Sequence, residues 1–148
     1  MHGSDSRLYE ETIHKVLLFH RRLYRYGRKM HAKGISGLKI SALRHLLESG
    51  PCTIGEMADY HHISDSSASE MMAQLESTGY VTRTRSEADN RVVLVDLTPA
   101  GGEFARSAPL GGIPLLRESI KDLSPARLSV IDEALTELLE MLENDGDA

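Results

Sequence analysis

Apolar residues along this chain recur with the period of a helix in most places and the period of a strand in one. Leu8, Ile13, Val16, Leu17, Phe19, His20, Leu23 and Tyr24 form a broad face over about 8–31, which predicts one long helix. Met1–Ser6, before it, reads as a disordered start. Lys33–Gly37 is loop material, and Leu38, Ala42, Leu43, Leu46 and Leu47 mark a second helix over Leu38–Glu48 with these residues inward. Ser49-Gly50-Pro51 ends it.

A shorter pair follows. Ile54, Met57 and Ala58 lie at i, i+3, i+4, with Thr53 and Glu56 spaced as a capping box. His61–Asp65 is a polar break, after which Ala68, Met71, Met72 and Leu75 mark another helix, with Ser64 as N-cap and Gly79 as its stop. The two short helices and their tight turn predict a helix-turn-helix. Val81–Arg85 and Val92–Leu97 are β-prone, and the turn residues Ser86–Asn90 between them make a hairpin directly behind the second short helix.

That order of elements resembles the MarR family of winged-helix transcriptional regulators. The residues carrying the resemblance are Leu75-Glu76-Ser77-Thr78-Gly79-Tyr80-Val81, Arg83, Asp89-Asn90-Arg91 and Leu97-Thr98-Pro99-Ala100-Gly101, and it runs from about Leu38 to Gly101. It implies a mainly α fold with a small β-hairpin wing, within one domain over 1–148. The winged-helix lobe would span about 38–101, and 8–31 and 113–144 would be dimerisation helices. A one- or two-residue strand near Cys52-Thr53 would pair with the wing.

Pro99 suits the first turn of a helix, but Ser107–Pro114 holds two prolines and two glycines and cannot continue it. Pro114 lacks an N–H and its ring would clash with a preceding turn, so a visible break is expected. Most of the family carry a long helix here; the departure is either a kink reshaping the dimer interface or a loop over a pocket. A helix resumes over Leu115–Leu123. The last helix, capped by Ser124-Pro125, bears the stripe Leu128, Ile131, Leu135, Leu138, Leu139 and Leu142. A second copy of the chain, as in the family, or a partner within the chain would satisfy that stripe. Asn144–Ala148 reads as a frayed acidic tail.

Charge changes the picture more than composition does. The net charge of −5 is uneven: residues 1–45 hold ten Lys/Arg against three Asp/Glu, whereas 46–82 hold six Asp/Glu and no Lys or Arg. Arg21, Arg22, Arg25, Arg28 and Lys29 crowd the end of the first helix, either as a solvated face that complements the helix dipole or as a patch for phosphates or an acidic ligand. The length suffices for a core without staples. No stretch approaches the roughly 20 apolar residues of a membrane span, and the N-terminus lacks a signal-peptide core. The single cysteine, Cys52, fits a reducing cytoplasm.

Candidate chemistry is that of nucleic-acid contact. Ser64 caps the second short helix, and Asp65, Ser66, Ser67, Ser69, Glu70 and Gln74 lie on its exposed side. Ser and Gln can donate to base edges, and free helix N–H groups can take phosphates. Many family members carry Arg or Lys where Glu70 and Gln74 stand, so a helix that merely packs is the other reading. On the wing, Arg91 matches the family arginine that enters the minor groove, where negative potential concentrates. Asp89 matches the aspartate that orients it, and Arg83 and Arg85 flank it.

Seven histidines show no ligand framework, and the peroxide-sensing cysteine of some family members lies in the first helix, unlike Cys52. No nucleophile elbow, P-loop or dinucleotide fingerprint occurs, so no enzyme and no cofactor are expected. The resemblance implies a homodimeric, bacterial or archaeal, ligand-responsive repressor without membrane attachment. It would read a pseudo-palindromic operator in double-stranded DNA and release it when a small effector, often aromatic or phenolic, binds beside the dimerisation helices. The acidic stretch 46–82 motivates the alternative, a winged-helix protein-interaction module without sequence-specific DNA binding.

Overall fold

The computed structural model describes residues Gly3–Glu143. Seven helices and three short strands follow one another as α1 (Gly3–Ala32), α2 (Gly37–Ser49), β1 (Cys52–Thr53), α3 (Ile54–His61), α4 (Asp65–Ser77), β2 (Val81–Arg85), β3 (Val93–Leu97), α5 (Pro99–Ser107), α6 (Gly112–Lys121) and α7 (Pro125–Glu143). The fold is mainly α with a small three-stranded antiparallel sheet, as the pattern predicts. The chain packs as two compact units that divide between Pro114 and Leu115.

In the first unit, α2 is the central scaffold. Ser36 accepts the N–H of Lys39 as its N-cap, and Ile40, Ser41, Ala42, Leu43 and Leu46 are buried. Two details differ from the periodicity: Leu38, expected inward, is exposed, and Ile40 is fully enclosed. Packing buries more of α2 than one face, so a single-stripe reading misassigns its first turn. Thr53 and Glu56 close the capping box of α3 as expected. Met57 of α3, Met72 and Leu75 of α4, Val81 of β2 and Val95 of β3 complete one core with Ile40 and Leu43.

The strand order is β1-β3-β2, with Cys52 opposite Val95 and Arg83 opposite Val95 from the other side. The short strand implied by the family resemblance is therefore present. It joins the wing to the start of α3. Gly79, at φ +82°, turns the chain out of α4 in the left-handed region that favours glycine.

Helix α1 begins at Gly3, so the disordered start expected for Met1–Ser6 does not hold for Gly3–Ser6; Met1 and His2 lie outside the described residues. Asp5 in the first turn complements the dipole and favours the early start. Among the described residues of α1 only Met30 is buried.

The break after α5 is present, but its cause is not Pro114. Ala108, before Pro109, is extended (φ −63°, ψ 133°), because a residue preceding proline is pushed out of the helical region. Pro114 instead sits in the first turn of α6, where a missing N–H costs nothing. The linking residues wrap Tyr26, whose hydroxyl donates to the Pro109 carbonyl at 2.9 Å.

The second unit, from Leu115, contains the rest of α6 and all of α7. Ser124 accepts the N–H of Arg127 and so caps α7 as expected. No residue of α7 is buried. The acidic tail expected at Asn144–Ala148 lies outside the described residues.

The junction at α5 rests on one close approach. Gly101 lies against the Tyr80 carbonyl, and a Cβ there would overlap that oxygen. Gly101→Ala is expected to destabilise the fold by about 1–3 kcal/mol, the scale of an overpacked core, despite alanine's higher helix propensity. Urea denaturation of the two proteins measures this; equal or greater stability for the variant would contradict the packing described.

Candidate nucleic-acid interface

The site is built from the outer face of α4 and from the wing. Between α3 and α4, His62 adopts a left-handed conformation (φ 53°), which lets the chain reverse within a few residues. Ser64 then caps α4, its Oγ accepting the Ser67 N–H at 3.1 Å and donating to Ser67 Oγ at 2.9 Å. Ser66 Oγ lies 3.1 Å from the same hydroxyl. Three serines thus form a small hydroxyl cluster on the first turn, where helix N–H groups also face outward.

Ala68, Met71, Met72 and Leu75 turn into the core, which forces their intervening residues outward. Asp65, Ser66, Ser67, Glu70 and Gln74 are exposed, and Ser69 is half-buried. Gln74 is partly engaged, its Nε2 donating to Glu70 Oε1 at 3.5 Å. An open cleft of about 500 Å³ separates Asp65, Ser66 and Ser69 from Arg91, Val92 and Val93 of the wing.

The wing is closed by Ser86 N–H to Val92 O at 2.8 Å and Val92 N–H to Asp89 O at 2.9 Å. Asp89 accepts three bonds from Arg91: the backbone N–H at 3.0 Å, Nε at 3.2 Å and Nη2 at 3.4 Å. These bonds hold the Asp89 carboxyl below the usual carboxylate range. The Arg91 side chain remains 91% exposed, so it is oriented yet open to a ligand. Arg85 donates to the Asn90 carbonyl at 2.7 Å and braces the wing tip.

Arg83 is disposed differently. Its guanidinium is turned onto Glu76 of α4, with Nη2 to Oε1 at 3.1 Å and Nε to Oε1 at 3.2 Å, while its backbone N–H donates to Oε2 at 2.8 Å. Glu76 was not among the candidates read from the sequence. Its signal was available: an acid and a base of opposite charge seven residues apart, flanking a glycine turn.

Cys52 is buried, and burial first, with Glu56 second, pushes its thiol up to about 11. Among the described residues no cluster of three or more His, Cys, Asp and Glu could hold a metal ion. No helix among them is long and apolar enough to cross a membrane. A second, small cavity of about 170 Å³ lies between α1, α2 and the start of α6, lined by Leu23, Tyr26, Leu38, Ser41, Ile113 and Pro114 among others.

Comparison with known proteins agrees with this architecture. The MarR family pattern matches residues 35–93. The organic hydroperoxide resistance transcriptional regulator of Bacillus subtilis is 33% identical over 104 residues, covering 68% of this chain and 67% of that one. An HTH-type transcriptional regulator of Mycobacterium leprae is 27% identical over 143 residues, 97% of this chain and 98% of that one. Among solved structures, AbsC, a MarR family transcriptional regulator of Streptomyces coelicolor, superposes with a TM-score of 0.63 at 22% identity, covering 97% of each chain. Reduced AbfR bound to DNA superposes with a TM-score of 0.60 at 22% identity, covering 96% of this chain and 99% of that one.

The fold is that of a winged helix-turn-helix regulator. The chain belongs to the MarR family, and it is a transcriptional regulator rather than an enzyme.

The state of Cys52 generates a test. Burial pushes the Cys52 thiol up to about 11, so little of it is thiolate at pH 8. Ellman's reagent is expected to label Cys52 slowly in the folded protein and rapidly in urea. Labelling of the native protein as fast as of the unfolded one would contradict the burial described.

Proposed function

We propose that this regulator is a homodimeric, ligand-responsive repressor that binds a pseudo-palindromic operator in double-stranded DNA. The observation that carries the reading is Arg91, oriented by Asp89 and fully presented to solvent beside the polar outer face of α4. Ser64, Asp65, Ser66, Ser67, Ser69, Glu70 and Gln74 of α4 would lie in or at the major groove, with the serine cluster toward phosphates and Gln74 toward a base. Arg91 would enter the adjacent minor groove, with Asp89 holding it in place and Arg85 supporting the tip. Arg83 belongs to the same wing. The DNA-bound AbfR structure supports this mode through shared fold.

Dimerisation is supported by unpartnered apolar surface. Leu8, Ile13, Val16, Leu17 and Phe19 of α1 are each at least 40% exposed, as are Leu128, Leu135, Leu138, Leu139 and Leu142 of α7. Two long helices presenting apolar faces to water are unstable against association. A second copy would cover them and set two reading units about one DNA turn apart. The cavity beside Tyr26 suits a small effector of aromatic character. An effector that binds the DNA-free shape more tightly lowers operator affinity by linkage. A cytoplasmic location accords with this role. The hydroperoxide resistance named for the Bacillus subtilis relative does not carry over through Cys52, which is buried and lies outside α1.

The absence of Lys and Arg from 46–82 favours a second reading, a protein-interaction module that binds no specific DNA. Selection from a random-sequence duplex pool separates the two: the repressor reading expects a palindromic consensus, and no enrichment would favour the module.

Two further outcomes are expected. Sedimentation at low micromolar concentration should give a dimer, and Leu135→Asp should dissociate or unfold it, since a charge would sit unpaired in an apolar seam; a folded wild-type monomer would contradict the dimer. Arg91→Ala should weaken binding to the selected duplex by about 1–3 kcal/mol, whereas Gln74→Ala should change sequence preference more than affinity. Wild-type affinity in Arg91→Ala with loss of binding in Gln74→Ala would reverse the assignment.

A further inference from the structure

Glu76 is a carboxylate in an unfavourable place. It lies in the last turn of α4, where the helix dipole is negative and disfavours an acid, and α4 is the helix proposed to approach phosphates. A residue with two such costs needs a compensating contact. It has three: both Arg83 guanidinium contacts and the Arg83 backbone N–H.

The backbone contact is the more telling. In the sheet β2 is an edge strand, since the order is β1-β3-β2. Alternate N–H groups on an edge strand have no partner strand. Glu76 takes the one at Arg83, the middle residue of β2, while Arg83 also pairs in register with Val95 of β3. One carboxylate therefore ties the end of the reading helix to the centre of the first wing strand. Between the two anchors lie Ser77, which ends α4, then Thr78, the left-handed Gly79 and Tyr80 as a turn, and the first two residues of β2. The base of that turn is held by the Thr98 N–H on the Tyr80 carbonyl, and Glu76 adds a second tie three residues further along, at Arg83.

We propose that Glu76 is a positioning residue for DNA reading, clamping Arg83 so that the wing is held at a fixed angle to α4, and that Arg83 serves as a brace rather than a phosphate contact. The inference rests on the DNA-reading role proposed above. Its charge consequence follows directly. The Glu76–Arg83 pair is neutral, so Arg83 adds little to the field that attracts phosphates. The free ends of the wing cations are then at Arg85 and Arg91.

The test uses the duplex that the wild-type full-length protein enriches from a random pool. Glu76→Ala, Glu76→Gln, Arg83→Ala and the double alanine variant are titrated with it at several salt concentrations. Removing an acid from a DNA-binding surface normally strengthens binding. The clamp expects the opposite: Glu76→Ala weakens affinity roughly three- to tenfold, within the usual range for coupled neighbours. Arg83→Ala weakens it similarly, with the salt slope unchanged, and the double variant is no weaker than either single one. Glu76→Gln, which can still accept the Arg83 N–H, recovers part of the loss and guards against a variant that merely misfolds. A second readout needs no DNA. The Arg83 Nε–H resonance should be protected from exchange in wild type and lose that protection in Glu76→Ala.

Tighter or unchanged binding by Glu76→Ala overturns the proposal. So does a fall of about one unit in the salt slope of Arg83→Ala, which would make Arg83 a phosphate contact. An Arg83 Nε–H that exchanges equally fast in wild type and Glu76→Ala overturns the clamp itself. Failure of the wild type to enrich any duplex overturns the DNA-reading role instead, and the exchange measurement distinguishes that outcome from failure of the clamp.

Discussion

The carbonyl of Tyr80 is the point through which the reading unit is held together. It accepts the Thr98 N–H at 3.1 Å, and the Cα of Gly101 packs against it without room for a side chain. The Thr98 hydroxyl donates to the Gly79 carbonyl and also caps α5 through the Gly101 N–H at 3.0 Å. The Tyr80 ring stacks on Phe104 with centroids 4.8 Å apart. The exit from α4 and the entry to α5 therefore interlock at the base of the hairpin. With Leu75, Val81 and Val95 buried just beneath, the hairpin cannot swing without disturbing both helices. The wing is thus an extension of the core and not a free loop, which is what a minor-groove contact at its tip requires.

On that frame, electrostatics divides the labour. Helix α4 has no cation and three acids, Asp65, Glu70 and Glu76. It offers hydroxyls and an amide, groups that discriminate bases but attract phosphates weakly. Cationic attraction must come from the wing and from whatever other basic surface meets the duplex. All three wing arginines are engaged in ordering it: Arg83 with Glu76, Arg85 with the Asn90 carbonyl, and Arg91 with Asp89, its outer face left free. On the proposed reading, affinity and specificity fall to different elements.

Much of this was legible in the sequence, for identifiable reasons. Start signals announce themselves locally, so the caps Thr53 and Ser64 and the first-turn Pro99 place the starts of α3, α4 and α5. Strand alternation around a turn located the wing within one position. What escaped depended on contacts distant in sequence. Leu38 looked inward by spacing, yet it is exposed beside the cavity near Tyr26. The helix break was foreseen, but Pro109 rather than Pro114 sets it, because proline constrains the residue before it more than its own first-turn position. The break at His61–Asp65 was legible from its polarity, but not that His62 takes its left-handed conformation, which Gly or Asn usually supplies. Glu76 was passed over because an acid on a helix face reads as solvated unless its partner seven residues on is considered.

The central claim is that α4 and a wing fixed to it read DNA as one body, with Arg91 in the minor groove. Hydroxyl-radical cleavage of the selected duplex tests it most directly, since cleavage reports minor-groove access base by base. The account predicts two short protected tracts, symmetric about the operator centre and lying outside the major-groove segments covered by α4. Both should disappear in the Arg91→Ala complex at saturating protein. Minor grooves cleaved as in free DNA, while the wild-type protein remains bound, would contradict it.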